Sequence, residues 1–120
     1  MTFQERCWRW AHECFGAKIA ESREERALRF IEEALELVQA SGVSVSQAYD
    51  MVDYVYGRKV GELQQEVGGT MVCLAALCAA SGIDMEIAAD VELTRCWSEI
   101  VKIRGKHLAK DQGVKAKIDG

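Results

Sequence analysis

The chain has 120 residues, of which 49% are hydrophobic and 28% charged, with no proline and a net charge of −4. That balance fits one soluble globular domain with a real hydrophobic core, and the missing proline among long Ala, Leu, Glu, Gln, Arg and Met runs excludes a turn-rich β protein. Residues 1–101 carry a charge of −8 and residues 102–120 a charge of +4, so the acidic body excludes general nucleic-acid binding while the basic end remains able to meet phosphates.

The expected organisation is a single helical domain over residues 1–108, followed by a basic, flexible tail over 109–120. The first helix is predicted over Thr2–Cys14, with Thr2 as N-cap, Glu5 closing a capping box and Gly16 as the stop. Phe3, Cys7, Trp10, Ala11 and Cys14 share its apolar face, with Trp8 and His12 on the border. The plain reading of these aromatics is core packing; the sharper one is that Trp8 or His12 borders a base-binding pocket.

A second helix is predicted from Ser22, whose hydroxyl and Glu25 form another box, to Gly42. Leu28, Ile31, Ala34, Leu35 and Val38 make its core stripe. Glu32, Glu33 and Glu36 gather opposite, as a solvated face or, for Glu33 and Glu36 at i and i+3, as ligands able to share one divalent cation. A short third helix, opened by Ser44 and Gln47 and closed at Gly57 and Gly61, carries Asp50, Asp53 and Tyr54, with Arg58 following.

The fourth helix, within 61–81, has two characters: Glu62 and Glu66 in its first part, and no charge from Thr70 to Ala80. With no solvated face it is expected to be the central helix, wrapped by others, and Glu66 is expected in dry surroundings where a lone carboxylate needs a partner or a cation. Gly68 and Gly69 each cost the helix roughly 1 kcal/mol against alanine, which implies close packing by another backbone or room for a ligand. The eleven uncharged residues fall short of the roughly 20 that span a bilayer.

A fifth helix is predicted from Asp84 to about His107, with Leu93, Cys96, Trp97, Ile100, Val101 and Ile103 as its buried seam. Arg104 lies along that seam and needs an anionic partner, either a helix carboxylate or a bound phosphate; Lys102 and Lys106 point elsewhere. The five cysteines form no CxxC and fit reduced core residues in a cytoplasmic protein. The N-terminal ten residues carry no apolar signal segment.

Taken together, the segments RFIEEALELVQA (29–40), DYVYGR (53–58) and EVGGTMVCLAALC (66–78), with CFG at 14–16 and basic KIRGK downstream, resemble the MazG-like all-α nucleoside triphosphate pyrophosphohydrolases. The likeness extends over about 100 residues, and is nearest to the short MazG-like proteins often encoded by bacteriophages and prophages. Those proteins carry ExxE on one helix and ExxD on the next, four carboxylates that hold magnesium. Here Glu33 and Glu36 match ExxE and Glu66 opens the ExxD segment, but Gly69 stands where the family has its aspartate.

The resemblance implies a MazG-like bundle of four to five helices, assembled as a homodimer or homotetramer in the cytoplasm, of the bacterial host if phage-encoded, with no membrane partner. It implies hydrolysis of a ribo- or deoxyribonucleoside triphosphate to the monophosphate and pyrophosphate. Mg2+, or Mn2+, would sit on Glu33, Glu36 and Glu66, with Glu62 or Asp53 as a further candidate ligand. Arg104, Lys102, Lys106 and Arg58 would balance phosphate charge, and Trp8, His12 or Tyr54 would stack on the base. Loss of the aspartate points to weakened metal affinity, and its extreme is a MazG-like module that binds a nucleotide or a protein without useful catalysis.

Overall fold

A computed structural model describes the backbone of residues 1–119 and the side chains of residues 1–110. Seven helices and no strand occur among the described residues: α1 (Phe3–Phe15), α2 (Ala17–Ala20), α3 (Arg23–Ala40), α4 (Val45–Tyr56), α5 (Leu63–Ala80), α6 (Met85–Ser98) and α7 (Ile100–Asp119). The all-helical expectation holds.

The helix starts follow the sequence signals. Thr2 Oγ1 accepts the Glu5 amide at 3.1 Å and Ser22 Oγ the Glu25 amide at 3.3 Å. At α4 the capping box is complete, with Ser44 Oγ accepting the Gln47 amide at 3.2 Å and the Gln47 side chain accepting the Ser44 amide at 2.9 Å. Gly16 stops α1 at φ +79° and Gly42 follows α3 at φ +95°, values that L side chains rarely adopt.

Two boundaries differ from expectation. A single turn, α2, follows Gly16. The predicted fifth helix is two, α6 and α7, interrupted at Glu99: Ser98 Oγ donates to the Arg95 carbonyl at 2.8 Å, and the Glu99 amide is shared between the carbonyls of Arg95 and Cys96 at 3.1 and 3.3 Å. Local hydroxyl-to-backbone bonding of this kind competes with the regular ladder and is invisible to a periodicity count. The basic segment set apart as a tail is the end of α7 as far as Asp119.

The chain divides into two compact units, Met1–Glu25 with Glu86–Gly120, and Arg26–Met85. In the first, α1 packs against α2 and α7. Its interior is made of Ala11, Cys14, Ala20, Leu93 and His107. Phe15 bridges it, edge-on to Trp10 at 5.5 Å between ring centroids and tilted on His107 at 4.9 Å. His107 Nε2 lies 3.7 Å from Glu25 Oε2. Within the expected seam of α6 and α7 only Leu93 is buried, whereas Trp97 and Val101 are exposed.

The second unit contains no buried residue at all. The expected core stripe of α3 is open to solvent at Leu28, Ile31 and Leu35. Contrary to the sequence expectation, α5 is not wrapped: Val72 is 69% and Met71 53% exposed, and only Leu74, Leu77 and Cys78 are partly covered. Burial requires neighbours, and α5 makes no more than marginal helix-to-helix contact. Cys73, expected in the core, is exposed; the five cysteines are all free thiols. With 18 residues and a mean hydropathy of 1.2, α5 is by length and composition long and apolar enough to cross a membrane, unlike the eleven-residue estimate.

Candidate functional site

The acids singled out by the sequence lie in the second unit. Glu33 and Glu36 occupy the exposed side of α3, one turn apart, and Glu66 sits in the first turn of α5. Its position near a helix N-terminus suits a carboxylate electrostatically. Glu66 is exposed, so the dry surroundings expected for it are absent. Neither Glu36 nor Glu66 is ion-paired with a cationic side chain among the described residues, whereas the neighbouring Glu32 pairs with Arg29 at 3.6 Å.

Glu66 is not simply pointing into open space. A Cβ placed on Gly61 would overlap the Glu66 carboxylate, which folds back over the loop preceding its own helix. Gly61 therefore makes the slot in which Glu66 rests. In the sequence Gly61 reads as helix punctuation only, and its place five residues before Glu66 is the signal that connects the two. Glu62 serves α5 as N-cap, its carboxylate accepting the amides of Gln64 at 3.1 Å and Gln65 at 2.7 Å, and so works for the helix rather than as a spare ligand. Asp53 is exposed on α4.

Within one chain these acids are not assembled into a cation site. Among the described residues no three His, Cys, Asp or Glu side chains stand close enough together to hold a metal ion. The reason is helix placement: α3 and α5 share no substantial packing. Gly68 and Gly69 have nothing within 4 Å of a built Cβ, so their helix cost is matched by no close approach inside the chain. Glu36 does border a groove of about 360 Å³ at the α3–α4 junction, shared with Glu32, Leu35, Val38, Val45 and Ala48.

The cationic candidates find other partners. Arg104 Nε donates to the Cys14 carbonyl at 2.5 Å and its Nη2 to the Glu13 carbonyl at 2.6 Å. These carbonyls belong to the last turn of α1, which lacks intrahelical donors and carries the negative end of the helix dipole. Arg104 thus caps a helix, a partner that neither the carboxylate nor the phosphate reading foresaw. Lys102 and Lys106 are exposed on α7, and Arg58 lies over the Tyr54 ring at 4.3 Å.

Of the aromatic candidates, Trp8 and His12 come together edge-on at 4.4 Å in the first unit, while Tyr54 belongs to the second. His12 Nδ1 lies 2.9 Å from the Trp8 carbonyl and Nε2 3.3 Å from Glu21 Oε2. The carbonyl first and the carboxylate second raise the His12 pKa above its ordinary 6.5. A groove of about 310 Å³ in the same unit, lined by Arg6, Arg9, Leu93 and Trp97, escaped the sequence reading. Arg6 there is paired with Asp90 at 2.6 Å.

No protein-family model matches the chain, and neither a characterised protein nor a solved structure matches it.

Proposed function

We propose that this protein is a magnesium-dependent nucleotide pyrophosphohydrolase that cleaves a nucleoside triphosphate to the monophosphate and pyrophosphate, and that it works as a homo-oligomer. The observation that carries this reading is the placement of Glu33 and Glu36 on one exposed helix face of α3 and Glu66 in the first turn of α5, within one unit, with Glu36 and Glu66 free of cationic neighbours among the described residues. Carboxylates kept exposed and unneutralised are suited to hard cations. Among the described residues the three acids of a single chain do not form a group close enough to hold a metal ion by themselves.

The second reading, a nucleotide- or protein-binding module with little or no catalysis, is favoured by one specific feature: Gly69 leaves the acidic set one carboxylate short. Both readings are tested by incubating the protein with ribo- and deoxyribonucleoside triphosphates and Mg2+ or Mn2+ and measuring pyrophosphate. Release of pyrophosphate from at least one substrate supports the enzyme. No release across the panel from a folded protein leaves the binding module. Gly69 has space for a side chain, so Gly69→Asp is accommodated locally and is expected to tighten Mn2+ binding about tenfold or more if the missing ligand is the limitation.

A further inference from the structure

We propose that the groove lined by Arg6, Arg9, Leu93, Thr94 and Trp97 is a binding site for a small, flat aromatic molecule carrying one oxyanion group, a carboxylate or a phosphate. The groove belongs wholly to the unit Met1–Glu25 with Glu86–Gly120, and the proposal does not rest on the pyrophosphohydrolase reading.

Its walls come from two helices. Arg6 and Arg9, at i and i+3, project from the same side of α1, and Leu93 and Trp97, at i and i+4, from the same side of α6. Arg6 Nη2 donates to Asp90 Oδ1 at 2.6 Å, which ties the two helices together, and its guanidinium lies over the Phe3 ring at 5.3 Å. One wall is thus held in place before any ligand arrives, and the cost of ordering a long cationic side chain falls on Arg9 alone. Buried Leu93 supplies an apolar floor. The volume of about 310 Å³ stands at the small end of the roughly 300–1,000 Å³ usual for small-molecule sites, room for a compact ring system and a short acidic arm.

Two groups in this groove are unpartnered, and their uses are complementary. Of the three tryptophans, Trp8 is edge-on to His12 and Trp10 to Phe15, whereas Trp97, 39% exposed, meets no other ring and no guanidinium among the described residues. Of the two arginines, Arg6 is neutralised by Asp90, whereas Arg9 has no ion pair or hydrogen bond from its side chain among the described residues. An indole face takes a flat ring, and a guanidinium takes an oxyanion through two parallel N–H bonds. One uncompensated positive charge beside one open aromatic face selects a flat anion over a flat neutral molecule. Thr94 adds an acceptor: its hydroxyl donates to the Asp90 carbonyl at 3.0 Å, which leaves lone pairs on the oxygen for a ligand N–H.

An NMR titration of the full chain, 15N-labelled and in EDTA so that no metal takes part, is the test. The probes are indole-3-acetate for the carboxylate and adenosine monophosphate for the phosphate, with indole and adenosine as their neutral counterparts. At least one anion is expected to move the Trp97 indole N–H, assigned through Trp97→Phe, with half-saturation below about 1 mM, while the Trp8 and Trp10 indoles stay where they are. The anion that binds tells which oxyanion the groove takes. Its neutral counterpart is expected to bind about tenfold more weakly, and Arg9→Gln to weaken the anion about tenfold while leaving the neutral compound unchanged. Arg9→Lys keeps the charge and loses the planar fork, so its affinity is expected to fall between those of wild type and Arg9→Gln. Trp97→Leu is expected to weaken anion and neutral compound alike, by about tenfold.

No movement of the Trp97 signal with either anion up to about 10 mM overturns the proposal. A neutral counterpart that binds as tightly as its anion overturns it too, as does an Arg9→Gln variant with wild-type affinity. Arg9 is exposed and unpartnered, so Arg9→Gln is expected to keep the wild-type unfolding midpoint. Should Trp97→Leu fail to fold, the neutral counterparts and Arg9→Gln decide by themselves. Pyrophosphate release, present or absent, has no bearing on a titration made without metal, so this proposal and the pyrophosphohydrolase reading fail separately.

Discussion

The two units of this chain solve the same problem differently. Met1–Glu25 with Glu86–Gly120 gathers a small interior from four helices and ties α7 to α1 through Arg104. Arg26–Met85 has longer apolar runs, better helix caps at α4 and α5, and no interior. Local helix signals and a buried core are therefore separate achievements. Isolated helices are marginal in water, so the second unit needs cover that its own helices do not supply.

The contrast breaks most sharply at Leu93, 7% exposed in the first unit. Leu93→Ala is expected to cost about 2–5 kcal/mol in chemical denaturation, independent of protein concentration. Val72→Ala on α5 is expected to cost about 1 kcal/mol, and only through a midpoint that moves with concentration, because a side chain open to solvent contributes little by itself. A Val72→Ala effect as large as that of Leu93→Ala, and unchanged by dilution, would erase the distinction between the units.

Next in size is Arg104→Gln, which removes a charged cap from the α1 carbonyls and is expected to cost about 1–2 kcal/mol. Were Arg104 a phosphate ligand instead, the same change would leave unfolding alone and weaken nucleotide binding. The smallest effect is at His12. Its raised pKa means the protonated ring is the favoured partner of the Trp8 carbonyl and Glu21; this stabilisation is complete below pH 6.5 and fades as pH rises through the shifted value. An NMR titration of His12 is expected to give a midpoint above 6.5, returning toward it in Glu21→Gln.

Cysteine chemistry sharpens the same comparison. Burial first, and Glu92 second, push the Cys96 thiol up to about 11, so Cys96 is expected to stay protonated and slow to alkylate at neutral pH. Cys14 is buried and Cys73 exposed within the chain. If Cys73 nonetheless reacts as slowly as Cys14 in the native protein, something outside the chain shields it.

Much of the helical plan was legible in the residues. Thr2, Ser22 and Ser44 cap where their hydroxyls accept the amide three residues on, and Gly16 and Gly42 stop helices because only glycine takes their backbone angles easily. The break at Glu99 was not legible, because it depends on a serine hydroxyl choosing a carbonyl. The apolar character of α5 was legible, but the expectation that other helices wrap it is not met, because periodicity describes a helix's own surface and says nothing about its neighbours. The partners of Arg104 lie about 90 residues away in sequence and are main-chain atoms, which no side-chain pattern encodes. The three acids were found as helix positions, and their convergence was what the MazG-like resemblance implies; among the described residues of a single chain they are not gathered.

Hydrogen exchange of the α5 amides, Leu63–Ala80, tests most directly whether the second unit is completed from outside. The account predicts protection close to that of α1 at high protein concentration, falling as the protein is diluted. Exchange of α5 at near-random-coil rates at every concentration, beside a protected α1, would contradict it.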